Sequence, residues 1–163
     1  MFTLRSIPSL SRTFHTFKPF HKQNVMESLD VLSGVNPPLN NIQSILPNGF
    51  IFSEGISVQD KSCLLIANRI LEFKPDYKII NGFIVEFTPN SLGFLKLINP
   101  LPDLFIIGLG SKSRLLSETN TRFFNELGIK LEISDSKAGV RNFNLLATER
   151  PNQIGGIFLP PNV

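Results

Sequence analysis

The chain has 163 residues, 42% of them hydrophobic and 18% charged, which suits one ordinary globular domain with a sizeable core and excludes a largely disordered tail. Its 16 Lys and Arg exceed its 13 Asp and Glu, but Arg5, Arg12, Lys18 and Lys22 all precede the first carboxylate, Glu27. Beyond residue 24 the remaining 12 basic residues face all 13 acids, so the body cannot supply the broad positive field that nucleic-acid phosphates need.

Residues 1–24, MFTLRSIPSLSRTFHTFKPFHKQN, carry Arg and Lys among Ser, Thr, Phe and Leu with no acid. This is the composition of a mitochondrial transit peptide, and SRTFHTF resembles a matrix-processing site with Arg12 shortly before the cut. No unbroken apolar core follows the first positive charge, as a secretory signal requires. No apolar run reaches the roughly 18 residues of a membrane span. Residues 25–41, with Pro37, Pro38 and several Asn, read as a linker, and order begins near Ile42. The expected organisation is a leader at 1–24, a linker at 25–41 and one domain at 42–163. The expected location is the mitochondrial matrix or the matrix face of the inner membrane.

From Gly49 the pattern predicts short strands in GFIFSEGISV and KSCLLIANRILEFKP, with a tight reversal at Asn68-Arg69. NGFIVEF reads as a further strand with Ile84 and Phe87 on different faces. In TPNSLGFLKLIN, Thr88 can cap and Pro89 can open a helix that Gly93 weakens. The apolar run DLFIIG is a buried strand opened by Asp103. A helix capped by Ser117 or Thr119 and stopped at Gly128 follows, then the alternating strand IKLEI. That rhythm is a parallel βαβ unit. SKAGVRNFNLLATE predicts a second helix, on the helical spacing of Ala138, Arg141, Leu145 and Glu149, and QIGGIFLPP a last strand. The fold class is a single α/β domain, with an antiparallel N-terminal β portion packed on a mixed sheet with helices.

GLGSKSRLLS raises the question of a nucleotide. Gly108 and Gly110 fit two of the three glycine roles of a dinucleotide turn, but Ser113 holds the third place and the helix begins several residues late. Asp135 stands roughly where a ribose-binding acid would, and no Gly-Lys-Ser/Thr loop is present. Gly108 and Gly110 therefore read as a sharp turn ending a buried strand. Asp103 calls for backbone N–H groups or an Arg, with Arg114, Arg122, Arg141 and Arg150 as candidates. His15 and His21 both lie in the leader, so the body lacks the commonest general base, and Ser111, Ser113, Asn144 and Glu149 are the polar groups left for catalysis. Cys63, the only cysteine, lies in an apolar run; it is read as a packing residue, with reactivity or metal chemistry as the other reading. A matrix RNA-binding role would need Lys112, Arg114, Lys130, Lys137 and Arg141 to cluster, and they are interleaved with Glu126, Glu132 and Asp135.

GFIFSEG, SCLLIANRILEFKP, PLPDLFIIGLG and LGIKLEISDSKAGVRNFNLLATERPNQIGGIFLPP follow one another as in the Mth-type domain family, which the chain resembles over roughly residues 42–161. The resemblance is to its mitochondrial branch, complex I (NADH:ubiquinone oxidoreductase) assembly factor 3. It implies a three-layer α/β domain with a mixed sheet and a small additional β layer, and no established catalytic activity; no cofactor or metal is expected. The motif positions it carries over are Asp103, Gly108, Gly110, Ala138, Asn144 and Glu149. Family members often have Trp where Phe73 stands and Thr-Tyr-Asn or Thr-Phe-Asn where this chain has Asn142-Phe143-Asn144. The implied partners are a second assembly factor and early complex I subunits or intermediates, without nucleic acid. Peripheral association with the inner membrane and the oligomeric state stay open. The alternative is a nucleotide- or small-molecule-binding mitochondrial enzyme that uses Asp103, Gly108 and Gly110.

Overall fold

The computed structural model describes residues 38–53 and 55–163. The transit-peptide reading and most of the linker lie outside them. Three sheets hold the fold. The first is antiparallel: β1 (Ile42–Leu46), β2 (Gly49–Phe52) and β3 (Ser57–Gln59). The central one has the order β10-β8-β11-β4-β5, from β4 (Ser62–Ile66), β5 (Arg69–Phe73), β8 (Leu104–Leu109), β10 (Lys130–Ser134) and β11 (Ile154–Leu159). The third has β6 (Tyr77–Ile80), β7 (Ile84–Phe87) and the short β9 (Leu115–Leu116).

The central sheet is mixed. β8 pairs parallel with both β10 and β11, whereas β4 pairs antiparallel with β11 and with β5. Alternation along β8 sends Phe105, Ile107 and Leu109 into one core and Ile106 into the other. The first core adds Val85 and Phe87 of β7, Leu92 and Leu95, and Phe124 of α2 (Glu118–Glu126). The second adds Phe50, Phe52 and Val58 of the first sheet, with Val140, Phe143 and Ala147 of α3 (Ser136–Glu149). Three layers result, with a small sheet on each face where one extra β layer was expected.

Local chemistry sets the boundaries. Ser117 caps α2, accepting from the Asn120 N–H, and Gly128 turns the chain out of it at φ +76°. Asp135 caps α3 through Oδ1, which accepts from the N–H groups of Lys137 and Ala138 at 2.9 and 3.0 Å. The residues of α3 that face the core are Gly139, Val140, Phe143 and Ala147. Arg141, Leu145 and Glu149, which suggested the helix, lie on its exposed side. The Thr88–Pro89 start gives only one α turn, α1 (Pro89–Leu92), after which Gly93–Leu97 tighten into a 3₁₀ helix. The reversal between β4 and β5 uses Ala67 and Asn68, both at positive φ, one residue earlier than predicted.

Two asparagines act as false strand neighbours. Asn144 on α3 accepts from the Ile42 N–H at 3.0 Å and donates to its carbonyl at 2.8 Å, which ties β1 to the helix. Asn120 on α2 does the same to Phe87 at 2.7 and 3.0 Å. Among the described residues no helix is long and apolar enough to cross a membrane.

Candidate functional site

The two ends of β8 are built differently. At its carboxyl end, a Cβ placed on Gly108 would come within 2.6 Å of Phe158 Cδ1 and 2.9 Å of Ser136 Cα. Only a residue without one lets the start of α3 lie against the strand. Gly110 takes φ +91°, a conformation that L side chains rarely adopt. Its N–H donates to Ser136 Oγ at 2.9 Å, and its carbonyl accepts from the Ser136 N–H at 2.8 Å. Ser136 Oγ in turn donates to the Leu159 carbonyl at 2.6 Å. One fully buried hydroxyl thus joins the ends of β8 and β11 at the first turn of α3.

The rest of the turn is also filled by the chain itself. The Val163 backbone oxygen accepts from Ser111 N–H at 3.0 Å, Ser111 Oγ at 2.8 Å and Arg114 Nη1 at 3.2 Å. Arg114 is buried and also donates to the Leu109 carbonyl at 2.6 Å. A helix N-terminus attracts anions through its free N–H groups and its dipole. At α3 that capacity is taken by the carboxylate of Asp135, which caps its own helix and stands clear of any ribose role. The helix that follows β8 begins only at Glu118, eight residues beyond Gly110.

The amino end of β8 is open. The Asp103 N–H donates to the Gln153 carbonyl at 2.9 Å and its carbonyl accepts from Lys130 N–H at 3.0 Å, which draws together the starts of β8, β10 and β11. Around this junction lies a cleft of about 460 Å³ lined by Asp103, Lys130, Glu149, Arg150 and Gln153 over Leu146 and Ile154. Two of the motif carboxylates, Asp103 and Glu149, therefore share one cleft. The expectation that the Asp103 carboxylate is held by backbone N–H groups or an Arg is not met among the described residues. Its side chain is exposed and makes no ion pair among the described residues, so water solvates it. Arg114 is committed to the opposite end of the strand, and Arg122 pairs with Glu118 at 3.1 Å. Neither Asp103 nor Glu149 has a side-chain hydrogen-bond or ion-pair partner among the described residues.

The remaining motif positions are structural. Ala138 lends its N–H to the Asp135 cap, and Asn144 clamps β1. Gly110 and Asp103 sit beyond opposite ends of a six-residue strand, about 20 Å apart at the usual rise. No one small ligand spans both. Cys63 is fully buried in the second core, and desolvation pushes its thiol well above the ordinary range, which suits packing and not reactivity. Burial also removes Arg114 from the surface cluster that RNA binding needs. The sequence reading missed Ser136 and Asn120 as joints, although a Ser directly after a capping Asp was a usable signal.

Residues 42–159 match the model of a family described as a protein of unknown function (DUF498/DUF598). The chain belongs to that family. This DUF498/DUF598 domain has the Mth938-like fold, as three solved structures make plain. An outer membrane protein from Bartonella henselae is 20% identical with a TM-score of 0.61, over 77% of this chain and 98% of that one. The Rpa2829 protein from Rhodopseudomonas palustris is 17% identical with a TM-score of 0.58, over 77% and 87%. A Mth938-like domain protein from Bordetella pertussis is 16% identical with a TM-score of 0.56, over 76% and 87%. At such identities the likeness is one of fold. No curated protein matches the chain in sequence.

Proposed function

We propose that this DUF498/DUF598 member is a non-enzymatic mitochondrial assembly factor for respiratory complex I, acting by protein contacts at the matrix face of the inner membrane. The observation that carries the contact reading is the self-filled turn at Gly110. The place where a related α/β fold would seat a phosphate holds Ser136 and the Val163 oxygen. The mitochondrial and complex I parts rest on the acid-free leader and on the resemblance over residues 42–161. Its partners on this reading are a second assembly factor and early complex I intermediates, with no cofactor, metal or nucleic acid. Deleting the gene and resolving respiratory complexes on native gels tests it. Loss of assembled complex I with accumulation of subassemblies is expected, and unchanged complex I overturns the role.

The open cleft at Asp103 and Glu149 favours a second reading, a small-molecule enzyme confined to the amino end of β8. That reading predicts that a small-molecule screen raises the melting temperature in proportion to ligand concentration. A screen with no such rise removes it.

A further inference from the structure

The third sheet carries an apolar row that the other described residues leave exposed. Val85 and Phe87 of β7 are buried, so Ile84 and Glu86 point to the opposite, outer face. Directly paired residues share a face, and the register pairs Ile80 with Ile84, Ile84 with Leu115, and Lys78 with Glu86. Ile80 is 39% exposed and Leu115 55%. Ile80, Ile84 and Leu115 thus form one apolar row across three strands. In the adjacent row Lys78 faces Glu86, and neither has an ion pair among the described residues.

We infer that this outer face is where two copies of the chain meet. The face is self-complementary. A two-fold axis running along the strands, between β6 and β7, lays Lys78 of one copy against Glu86 of the other in both directions at once. The same axis lays Ile80 against Ile84 of the second copy and brings Leu115 to the outer flank of Ile80. Such reciprocal matching is what an isologous contact requires. Lys78 and Glu86 together give this face no net charge, so an anionic lipid surface gains no electrostatic attraction there. The apolar row and the Lys78–Glu86 row hold far fewer residues than the roughly 20–30 a side of a standard interface, so the pair is reversible.

Sedimentation velocity of the full chain from about 5 to about 500 μM, the range where small interfaces associate, tests this. The weight-average sedimentation coefficient should climb toward that of a dimer. Leu115→Glu should hold the chain monomeric throughout, with an unchanged melting temperature because the side chain is exposed. Lys78→Glu should weaken the dimer about tenfold, and Lys78→Glu with Glu86→Lys should recover it. A chain that stays monomeric across the range overturns the inference. So does a dimer indifferent to Leu115→Glu, or a double charge reversal no better than the single one. None of these results bears on the complex I test, which reads assembly in mitochondria.

Discussion

The two ends of β8 carry motif residues of the same family pattern and put them to opposite uses. At the carboxyl end, Gly108 and Gly110 exist so that other parts of the chain can come close: Ser136, Phe158 and Val163 crowd against them. At the amino end, Asp103 and Glu149 stand in a solvent-filled cleft with no partner among the described residues. The first end is therefore governed by packing and the second by solvation. A glycine turn after a buried strand takes its meaning from what fills the space, and here protein fills it.

The contrast is easiest to break from the packed end. Gly108→Val puts a side chain where Phe158 and the Ser136 backbone already lie, and should cost about 3 kcal/mol or more, or prevent folding, as read by urea denaturation. Ser136→Ala leaves the Gly110 N–H and the Leu159 carbonyl buried without their shared partner, and should cost about 2–3 kcal/mol. A loss below about 0.5 kcal/mol would mean that the joint is incidental.

A smaller effect depends on pH. The buried Cys63 thiol keeps its proton in the folded chain, whereas the unfolded thiol loses it near pH 8.5. Above that value the unfolded state binds fewer protons, so stability should fall as pH rises from about 8.5, and Cys63→Ala should remove that part of the slope. Folded protein should also resist thiol-labelling reagents that the denatured chain consumes at once. The smallest effect belongs to the open end. Asp103→Asn and Glu149→Gln should each change stability by less than about 0.5 kcal/mol, because water already solvates both groups. A large loss at either position would show that the cleft is a structural joint like the other end.

Much of the architecture was legible because local signals carried it. The helical stretch SKAGVRNFNLLATE coincides with α3, and Ser117, one of two candidate caps, and Gly128 bracket α2. The apolar runs at DLFIIG and IGGIFL mark the two innermost strands. Other elements had no local signature. β6 has only Tyr77–Ile80 and drew no expectation of its own, and β9 is two residues long. Both exist because β7 supplies their partners. The inward face of α3 was misread because Gly139 and Ala147, small residues chosen for close approach, contribute little to an apolar pattern. The cleft was illegible for a different reason. Asp103, Lys130, Glu149 and Gln153 are scattered in sequence, and only the parallel register of β8 with β10 and β11 brings them together.

The central claim is that the Gly108–Gly110 turn is closed by the chain's own groups and offers no phosphate seat. Amide NMR of the labelled protein titrated with ATP, NAD and inorganic phosphate to about 5 mM, enough to see millimolar binding, tests it most directly. The account predicts that the N–H signals of Gly108, Gly110, Ser111 and Ser136 stay in place throughout. A saturable shift centred on Gly110 and Ser111 would contradict it.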